Sequence, residues 1–470
     1  MVLVGGWVLL FGGRQDRVAV EQAVVVDYWE KWTGDEGSQM REIVDDFNKT
    51  VGKEKGIFVR YVSTSQIMQK TLIATAAGVP PDIAGVWGDS LSQLASLDAL
   101  EPLDDLAAER GIGRSTYKRV YWDDCVQGGK LVALVSTPAT IALHYNKKLF
   151  ADRADSLRAA GLDPTRPPQT LAELDRYAQA LTIKAADGRL ISAGYLPLEP
   201  GWYVANTPNW FGTDVYDPKT DRFIFDNPAV IEAYQWIESY SKNLGKSAMA
   251  DFRSGLGNFD SPQNAFLTGT VVMVQQGPWM ANYIRNLKPS MSSVKWSLKE
   301  EMTLPIKQRQ ENYEWAVAPF PSAKPGLVDV TYAPFDALVI PRGASHRKEA
   351  FEFLAYVTRQ EVHEKLNMLH CKNSALEKVS DHFMTQHPNP YIEVFERLAR
   401  SDNAHGLPEV PIWPEVVSEV NNVVQKVALL EVEPEPALRK MQATLQAKLD
   451  QFRERQTSRR GSAASLEATR

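Results

Sequence analysis

Tryptophans near predicted strand ends are the residues in this chain whose type and placement first suggest chemistry. The sequence holds 12 of them, and several stand in segments that contain Gly and Pro. A sugar presents apolar C–H faces and a rim of hydroxyls, so its site needs flat aromatic surfaces beside carboxylates or amides. The tryptophans together therefore predict a carbohydrate-binding surface, although any single one is more simply explained as part of a core.

Sequence signatures of catalysis and of cofactor binding are missing from the chain. It has no G-x-x-x-x-G-K-[ST] segment, no G-x-G-x-x-G after a strand and no G-x-S-x-G. His363-Glu364 does not open an H-E-x-x-H site, because Lys, Leu and Asn follow. We therefore expect no catalytic residue, no metal and no cofactor. A glycosidase needs only two carboxylates, so a carbohydrate-active enzyme stays open as an alternative.

Cysteine content, charge and length limit the classes of protein that this chain can be. Cys125 and Cys371 are too few for a disulfide scaffold or a four-cysteine zinc site. Two separate buried thiols are the preferred interpretation, and a single disulfide stays open. The net charge is −6, with no long basic run before residue 450, so nucleic acid is not an expected partner. The length of 470 residues predicts more than one domain.

Residues 1–13 (MVLVGGWVLLFGG) are an apolar segment. A helix that spans a bilayer needs about 20 residues, so this segment is too short to be one. Its length is typical of the apolar part of an export signal, here with a truncated start; a short buried strand or helix is the alternative. We therefore expect residues 1–20 to be a signal-like or anchor-like segment and the protein to be periplasmic or at the cell surface.

Hydrophobic periodicity alternates between strand and helix along most of the chain. Strands are predicted at 24–26, 57–61 and 83–87 with amphipathic helices between them, an order typical of a parallel or mixed sheet with helices on both faces. Thr170-Leu-Ala-Glu173 is a capping box, and Asp226-Asn-Pro228 begins another helix. Residues 288–313 are expected to be an irregular insertion, and residues 453–470 a disordered tail. Further strands are predicted at 131–135, 141–145, 271–274, 315–318 and 337–340.

An ordered set of segments resembles the extracellular solute-binding proteins of sugar ABC importers, the maltose-binding-protein-like family. The resemblance covers residues 24–452. Its sharpest part is Ala265–Trp279 (AFLTGTVVMVQQGPW), which is similar to the family's F-x-x-G-x-x-A-M strand and the aromatic turn after it. Val272 stands where the family usually has Ala, which is a small packing change. The other segments are Val26–Gly34 (VDYWEKWTG), Ala77–Asp82 (AGVPPD), Leu97–Leu103 (LDALEPL), Gly129–Pro138, Leu143–Phe150 (LHYNKKLF), Pro168–Leu174 and Leu338–Phe353.

The resemblance implies an α/β fold of the type II periplasmic-binding-protein kind, in which two lobes close on a ligand by a hinge motion. Lobe 1 would comprise residues 21–138 and 336–386, and lobe 2 residues 139–335 and 387–452. The chain would cross between lobes near Pro138–Thr140, Pro334–Asp336 and Thr385–Pro390.

The resemblance also implies a function. The protein would be a monomer that captures a mono- or oligosaccharide and delivers it to the permease subunits of an ABC importer in the membrane. Besides an enzyme, the alternatives are a sugar-sensing clamp that signals to a membrane receptor and a clamp for an anion or a metal. Gene neighbourhood and ligand chemistry distinguish these alternatives.

The loops at the carboxyl edge of a sheet are where an α/β fold exposes binding groups. Glu30 could instead pair with Lys31 or Arg60, and Asp89 and Asp336 could instead cap helices. The predicted ligand-binding residues are Glu30, Trp32, Thr33, Trp87, Asp89, Thr137, Thr140, Trp202, Tyr203, Asn206, Trp210, Trp279, Phe335 and Asp336.

Overall fold

The computed structural model describes residues 23–292 and 298–467 of the chain. The apolar segment 1–20, predicted to be a signal or an anchor, lies outside the described residues. Within the described ranges, each helix is too short or too polar to cross a lipid bilayer.

Ten strands build the two main sheets of the described residues. Every residue of four of these strands is buried, which is what helices on both faces of a sheet produce. In chain order the strands are β1 (Val24–Glu30), β2 (Ile57–Ser63), β3 (Ile83–Trp87), β4 (Leu134–Pro138), β5 (Ala142–Asn146), β6 (Ile183–Lys184), β7 (Leu190–Tyr195), β8 (Val271–Gln276), β9 (Trp315–Ala318) and β10 (Phe335–Val339).

The first compact unit, called unit 1, contains the described residues up to Pro138 together with Phe335–His370 and Ser374–Val379. Its sheet has the order β2-β1-β3-β10-β4. β1 runs parallel to β2 and β3, whereas β10 is antiparallel to β3 and β4. The helices of unit 1 include Gly34–Lys49, Ile67–Ala76, Leu91–Ser96, Asp104–Glu109, Arg119–Cys125, Arg347–Val357 and Gln360–Leu369.

The second compact unit, called unit 2, contains Ala139–Pro334, Cys371–Asn373 and the described residues from Ser380 onward. Its sheet has the order β9-β5-β8-β7-β6, with β8 parallel to β7 and β5 antiparallel to β8 and β9. One of its apolar clusters joins the helices Pro228–Leu244 and Trp413–Ala428 to the first turns of Pro434–Glu467. Other helices are Lys147–Asp152, Ala154–Ala159, Leu171–Leu181, Lys246–Ser254, Met280–Leu287, Asp381–Gln386 and Ile392–Ala399.

Local sequence signals place several element ends correctly. Thr170 caps the helix Leu171–Leu181, because its Oγ1 accepts a hydrogen bond from the backbone N–H of Glu173 at 3.1 Å. Asn227 caps the next long helix, its Oδ1 accepting from the backbone N–H of Ala229 at 2.9 Å. The strands predicted at 83–87 and 315–318 have those bounds. The mixed α/β class predicted from the sequence is confirmed.

The structure differs from the sequence predictions in several segments. The described part of 288–313 holds helices at Pro289–Met291, Leu298–Glu301 and Ile306–Asn312 rather than an irregular insertion. The expected disordered tail is corrected as well: the helix Pro434–Glu467 runs on into it, because Ala, Leu, Glu and Arg favour helix.

The chain changes unit at 138–139 and 334–335, and again at 370–371, 373–374 and 379–380. The segment Thr385–Pro390, expected to be a crossing, therefore lies within unit 2.

Cys125 and Cys371 are both buried free thiols, which confirms the preferred interpretation of the two cysteines. Burial raises the pKa of each thiol above its ordinary value. Cys125 belongs to unit 1 and Cys371 to unit 2.

Candidate functional site

Several predicted residues of unit 1 meet at one edge of its sheet. β1 and β3 end at this edge, and β10, which runs the opposite way, begins there. The backbone register pairs Asp336 with Trp87 on one side and with Thr137 on the other, and Thr137 Oγ1 donates to Asp336 Oδ2 at 2.7 Å. Three neighbouring strands therefore present Trp87, Asp336 and Thr137 side by side, as the carboxyl edge of an α/β sheet does.

Lys31 was not among the predicted ligand residues, yet it is the centre of this group. Its Nζ lies 3.0 Å from Asp336 Oδ1 and 3.2 Å from Glu30 Oε1. The ammonium also lies 4.5 Å from the ring centre of Trp32 and 5.6 Å from that of Trp87, which is within cation–π range. Burial opposes the charged form, but Asp336 and Glu30 raise the pKa of Lys31 above its ordinary value. The ammonium therefore stays charged inside the unit 1 group, defined as Glu30, Lys31, Trp32, Trp87, Asp89, Thr137 and Asp336.

Glu30 is fully buried, and protein donors occupy its carboxylate. Tyr28 OH donates to Oε2, and the backbone N–H of Lys31 donates to Oε1 at 2.7 Å. Gly85 lies so close that a Cβ at that position would overlap the carboxylate. Burial, and then the charge of Glu30, raises the pKa of Tyr28. Glu30 therefore pairs with Lys31, one of the alternatives considered from the sequence, while Arg60 pairs with a different carboxylate.

Trp87 and Asp89 are the accessible members of the unit 1 group. The Trp87 side chain is 52% exposed, which is unusual for a tryptophan. Asp89 is also exposed and accepts a hydrogen bond from Ser90 Oγ at 3.3 Å. It stands inside the short 3₁₀ turn Gly88–Ser90 and caps no helix. Desolvation by the surrounding protein nevertheless raises the pKa of the Asp89 carboxyl, against the effect of that hydrogen bond.

The other predicted residues of unit 1 have different surroundings. Trp32 is 6% exposed and meets His370 edge-on, with 4.7 Å between ring centres. Thr33 is exposed just before the helix Gly34–Lys49, and its side chain makes no capping hydrogen bond. Phe335 is buried and packs against the ring of Tyr121. The structure thus brings Trp32 into the group, leaves Thr33 at a helix start and places Phe335 in the core.

Trp279 follows β8 at the carboxyl edge of the unit 2 sheet. It stands directly before the helix Met280–Leu287, is half-buried, and donates from Nε1–H to Gln276 Oε1 at 3.1 Å. Gly277 makes room for the ring, because a Cβ there would overlap it. Lys372 Nζ lies 5.7 Å from the ring centre. The turn therefore holds the indole in one orientation while part of its surface stays accessible.

A chain of aromatic rings, called the unit 2 aromatic group, connects the remaining loop residues. The ring centres of Trp202 and Phe259 are 4.5 Å apart, and those of Phe259 and Tyr283 are 4.8 Å apart. Tyr203 contacts Trp202 at 6.3 Å, and Trp202 is 47% exposed. Tyr283 stands four residues after Trp279, which directly precedes that helix, so the two residues are about one helical turn apart. The group comprises Trp202, Tyr203, Phe259, Trp279 and Tyr283.

Three further predicted residues of unit 2 are not members of the aromatic group. Trp210 is 1% exposed and donates from its indole N–H to the carbonyl of Val330 at 3.2 Å. Thr140 is fully buried and donates to the carbonyl of Phe395 at 3.1 Å. Asn206 is half-buried, and its backbone N–H donates to the carbonyl of Tyr203 at 2.9 Å. Trp210 and Thr140 therefore have structural partners, and a role for Asn206 stays a prediction.

Sequence reasoning missed Lys31, Phe259 and Tyr283. The spacing of four residues between Trp279 and Tyr283 is a signal that could have found Tyr283. Lys31 stands between two predicted residues, but only strand pairing brings Asp336 to it. Phe259 lies in a segment without hydrophobic periodicity. In the described part of the chain, no group of three or more His, Cys, Asp or Glu side chains could hold a metal ion.

Comparison with known proteins identifies the family. Residues 31–364 match the family described as bacterial extracellular solute-binding protein. The sn-glycerol-3-phosphate-binding periplasmic protein UgpB of Pectobacterium atrosepticum is 24% identical over 265 residues, which are 54% of this chain and 55% of that protein. The chain thus spans about half the length of this curated relative.

Solved structures show the same fold. CpMnBP1 with mannobiose bound is 25% identical, covers 90% of this chain and 99% of its own, and has a TM-score of 0.72. The sugar-binding protein MalE of Xanthomonas citri is 20% identical, covers 94% and 99%, and has a TM-score of 0.64. The resemblance inferred from the sequence segments is confirmed. Because the family match covers most of the chain, this protein belongs to the bacterial extracellular solute-binding protein family.

Proposed function

We propose that this protein binds a neutral mono- or oligosaccharide and delivers it to the permease of an ABC importer. The observation that carries the proposal lies in unit 1, where the exposed indole of Trp87 stands next to Asp336 in the strand register and two residues before Asp89. An indole face packs against the C–H face of a pyranose, and a carboxylate accepts hydrogen bonds from adjacent hydroxyls. The two kinds of surface that a sugar needs are therefore neighbours.

The unit 2 aromatic group supports the same ligand class. Trp202 is 47% exposed, and the ring of Trp279 is held in place by its hydrogen bond to Gln276. Several rings in contact offer more apolar surface than one sugar residue covers, which favours a ligand that extends beyond a monosaccharide. CpMnBP1, at 25% identity over 90% of this chain, was solved with mannobiose bound.

The charges of the unit 1 group favour a neutral ligand over a phosphorylated one. Glu30, Asp89 and Asp336 supply three carboxylates to the unit 1 group, and Lys31 is its one cation. The Lys31 ammonium already lies 3.0 Å from the carboxylate of Asp336 and 3.2 Å from that of Glu30. A phosphate would meet net negative charge there. Curated relatives are named for sn-glycerol-3-phosphate, so this ligand is the direct competitor.

The proposed ligand contacts leave out Glu30, Phe335, Thr140 and Trp210, and they add Phe259 and Tyr283 to the other predicted residues. In unit 1 they are Trp32, Thr33, Trp87, Asp89, Thr137 and Asp336, and in unit 2 Trp202, Tyr203, Asn206, Phe259, Trp279 and Tyr283. The protein is also proposed to close by a hinge motion, to be a monomer, to be exported to the periplasm or cell surface, and to have a permease as its partner. The family match supports these points, and no observation favours an enzyme or a receptor-coupled sensor instead.

Thermal shift and calorimetric titration of the full chain test the proposal. The ligands are mannose, glucose, mannobiose, maltose and sn-glycerol-3-phosphate, because a ligand that binds the folded state raises the melting temperature. We expect a shift with at least one neutral sugar and none with the phosphate. Trp87→Ala and Trp279→Ala should each weaken the sugar roughly tenfold or more, while Trp122→Ala, a half-buried tryptophan of unit 1 outside the group, should leave affinity unchanged.

Three results would contradict these expectations. Binding of sn-glycerol-3-phosphate without binding of any sugar would replace the neutral ligand with an anionic one. A folded protein with no shift for any ligand of the panel would refute the sugar-binding proposal. Unaltered sugar affinity in both tryptophan variants would remove these residues from the site.

A further inference from the structure

We propose that unit 2 carries a second binding site, for a single neutral sugar or small polyol, built around Asp175. A cavity of 660 Å³ lies between the helices Leu171–Leu181 and Pro228–Leu244 beside β7. Small-molecule sites commonly have volumes of about 300–1,000 Å³. All of the residues that line this cavity belong to unit 2, and none belongs to the unit 2 aromatic group.

Asp175 is an acceptor whose orientation is set by two donors on one of its oxygens. Trp236 Nε1–H donates to its Oδ1 at 2.9 Å, and Tyr240 OH donates to the same oxygen at 2.7 Å. Among the described residues, nothing donates a hydrogen bond to Oδ2 and no Lys or Arg lies within ion-pair distance. Asp175 lines the cavity, and desolvation raises the pKa of its carboxyl in spite of the two hydrogen bonds. A ligand donor that reached Oδ2 would complete the set of partners.

The other lining residues indicate which ligand would bind. Gln179 and Asn243 bring amides that both donate and accept, and Tyr195 and Tyr240 bring rings whose centres are 5.9 Å apart. The hydroxyls of a sugar or polyol match the amides and the carboxylate, which donate and accept hydrogen bonds.

The charges of the lining exclude a simple cation as the preferred ligand. Arg176 and Lys184 line the same cavity as Asp175, so two positive groups accompany one carboxylate. A free ammonium ion would be attracted by Asp175 and repelled by both of these side chains. A neutral ligand with several hydroxyls gains the hydrogen bonds without that repulsion.

Saturation-transfer NMR with glucose and glycerol, and with choline as the cationic comparison, tests the second site in the full chain. The background is a Trp87→Ala, Trp279→Ala double variant, which weakens the proposed principal site. We expect glucose signals to persist in this background. Asp175→Asn should weaken glucose there by about tenfold, because a hydrogen bond to a charged group is lost. The amide keeps an oxygen for Trp236 and Tyr240, so an unchanged melting temperature verifies the fold.

Two further variants make the test specific. Asn243→Trp places a bulky ring at an exposed position of the cavity lining and should abolish the signals. Asp251→Asn removes an exposed carboxylate of the same unit that lies outside the cavity and should change nothing.

Three results would overturn the second site. They are the absence of glucose signals in the background, signals that survive both Asp175→Asn and Asn243→Trp, and choline signals stronger than those of glucose. Failure of the proposed principal function would give a different result. Sugar binding would then be weakened by the Asp175 and Asn243 substitutions and would be unchanged by Trp87→Ala and Trp279→Ala.

Discussion

Lys31 Nζ lies 3.0 Å from Asp336 Oδ1, and this ion pair joins the end of β1 to the start of β10 within unit 1. The two side chains are 3% and 9% exposed, so water and salt screen the pair weakly. The same ammonium also lies 3.2 Å from Glu30 Oε1. One cation therefore contacts two carboxylates at the proposed ligand edge.

Lys31→Met should destabilise the protein by about 3–5 kcal/mol, because it leaves buried carboxylates without their cation. It should also weaken sugar binding, because Asp336 loses one of the two side chains, Lys31 and Thr137, that orient it. Urea unfolding and calorimetric titration measure the two effects. Lys365→Met is the matched control, because Lys365 pairs with Glu42 and Asp46 on the exposed surface of unit 1 and should lose at most about 1 kcal/mol. Equal stability of the two variants would contradict the central role of Lys31.

Gly85→Ala should destabilise unit 1 by about 1–3 kcal/mol through overpacking. The added Cβ would overlap the Glu30 carboxylate, which must then move away from Lys31 and Tyr28. Denaturant unfolding measures the loss. Gly113→Ala is the control, since no atom lies within 4 Å of its added Cβ. Similar unfolding midpoints for the two variants would show that Glu30 has room to shift.

Gly277→Ala should lower sugar affinity with little loss of stability. The new Cβ would overlap the Trp279 indole, so the ring must leave the orientation that its hydrogen bond to Gln276 maintains. Loss of one aromatic stacking contact of about 1 kcal/mol corresponds to roughly fivefold weaker binding. Titration calorimetry measures the change. Undiminished affinity would separate the orientation of Trp279 from ligand binding.

Stability should fall steeply as the pH drops below about 6.5. Burial lowers the pKa of His144, His363 and His387 to about 3. Nε2 of His363 accepts the backbone N–H of Ala375 at 3.1 Å, a hydrogen bond that needs an unprotonated nitrogen. Between about pH 6.5 and pH 3 the unfolded chain binds these protons and the native protein does not. Each histidine should therefore remove about 1.4 kcal/mol of stability per pH unit.

The pH effect is measured by urea unfolding between pH 7 and pH 4. Carboxylates also titrate in the lower part of this range, so a variant isolates one histidine. His363→Gln keeps an acceptor for the Ala375 N–H and should make the slope shallower by about 1.4 kcal/mol per pH unit between pH 6 and pH 4. A slope identical to that of the wild type would show that His363 is protonated in the native protein.

Short-range patterns in the sequence were sufficient for the element types and for several ends. Thr170 and Asn227 cap helices because each hydroxyl or amide oxygen needs only a backbone N–H two or three residues ahead. The strands at 83–87 and 315–318 followed from apolar runs bounded by turn residues. The prediction of a disordered tail was wrong in its described part, because residues of high helix propensity continue an established helix.

Long-range contacts decided which predicted site residues are accessible. Trp87 and Trp210 are the same residue type in loop-like sequence contexts, yet one is 52% exposed and the other 1%. The difference depends on what packs against each ring, and those partners are distant in the chain. Glu30 likewise looked like a ligand residue, but the fold directs its carboxylate to Tyr28 and Lys31.

The sequence by itself determined the α/β class, the family and the sugar-suited residue types at the strand ends. Only the tertiary structure decided that Lys31 holds Asp336, and that Phe259 links Trp202 to Tyr283. The physical reason is that periodicity and capping report interactions over a few residues. The contact between Lys31 and Asp336 depends on β3 pairing with both β1 and β10. Some 300 residues of chain separate the two side chains, and a single sequence carries no local signal for such a register.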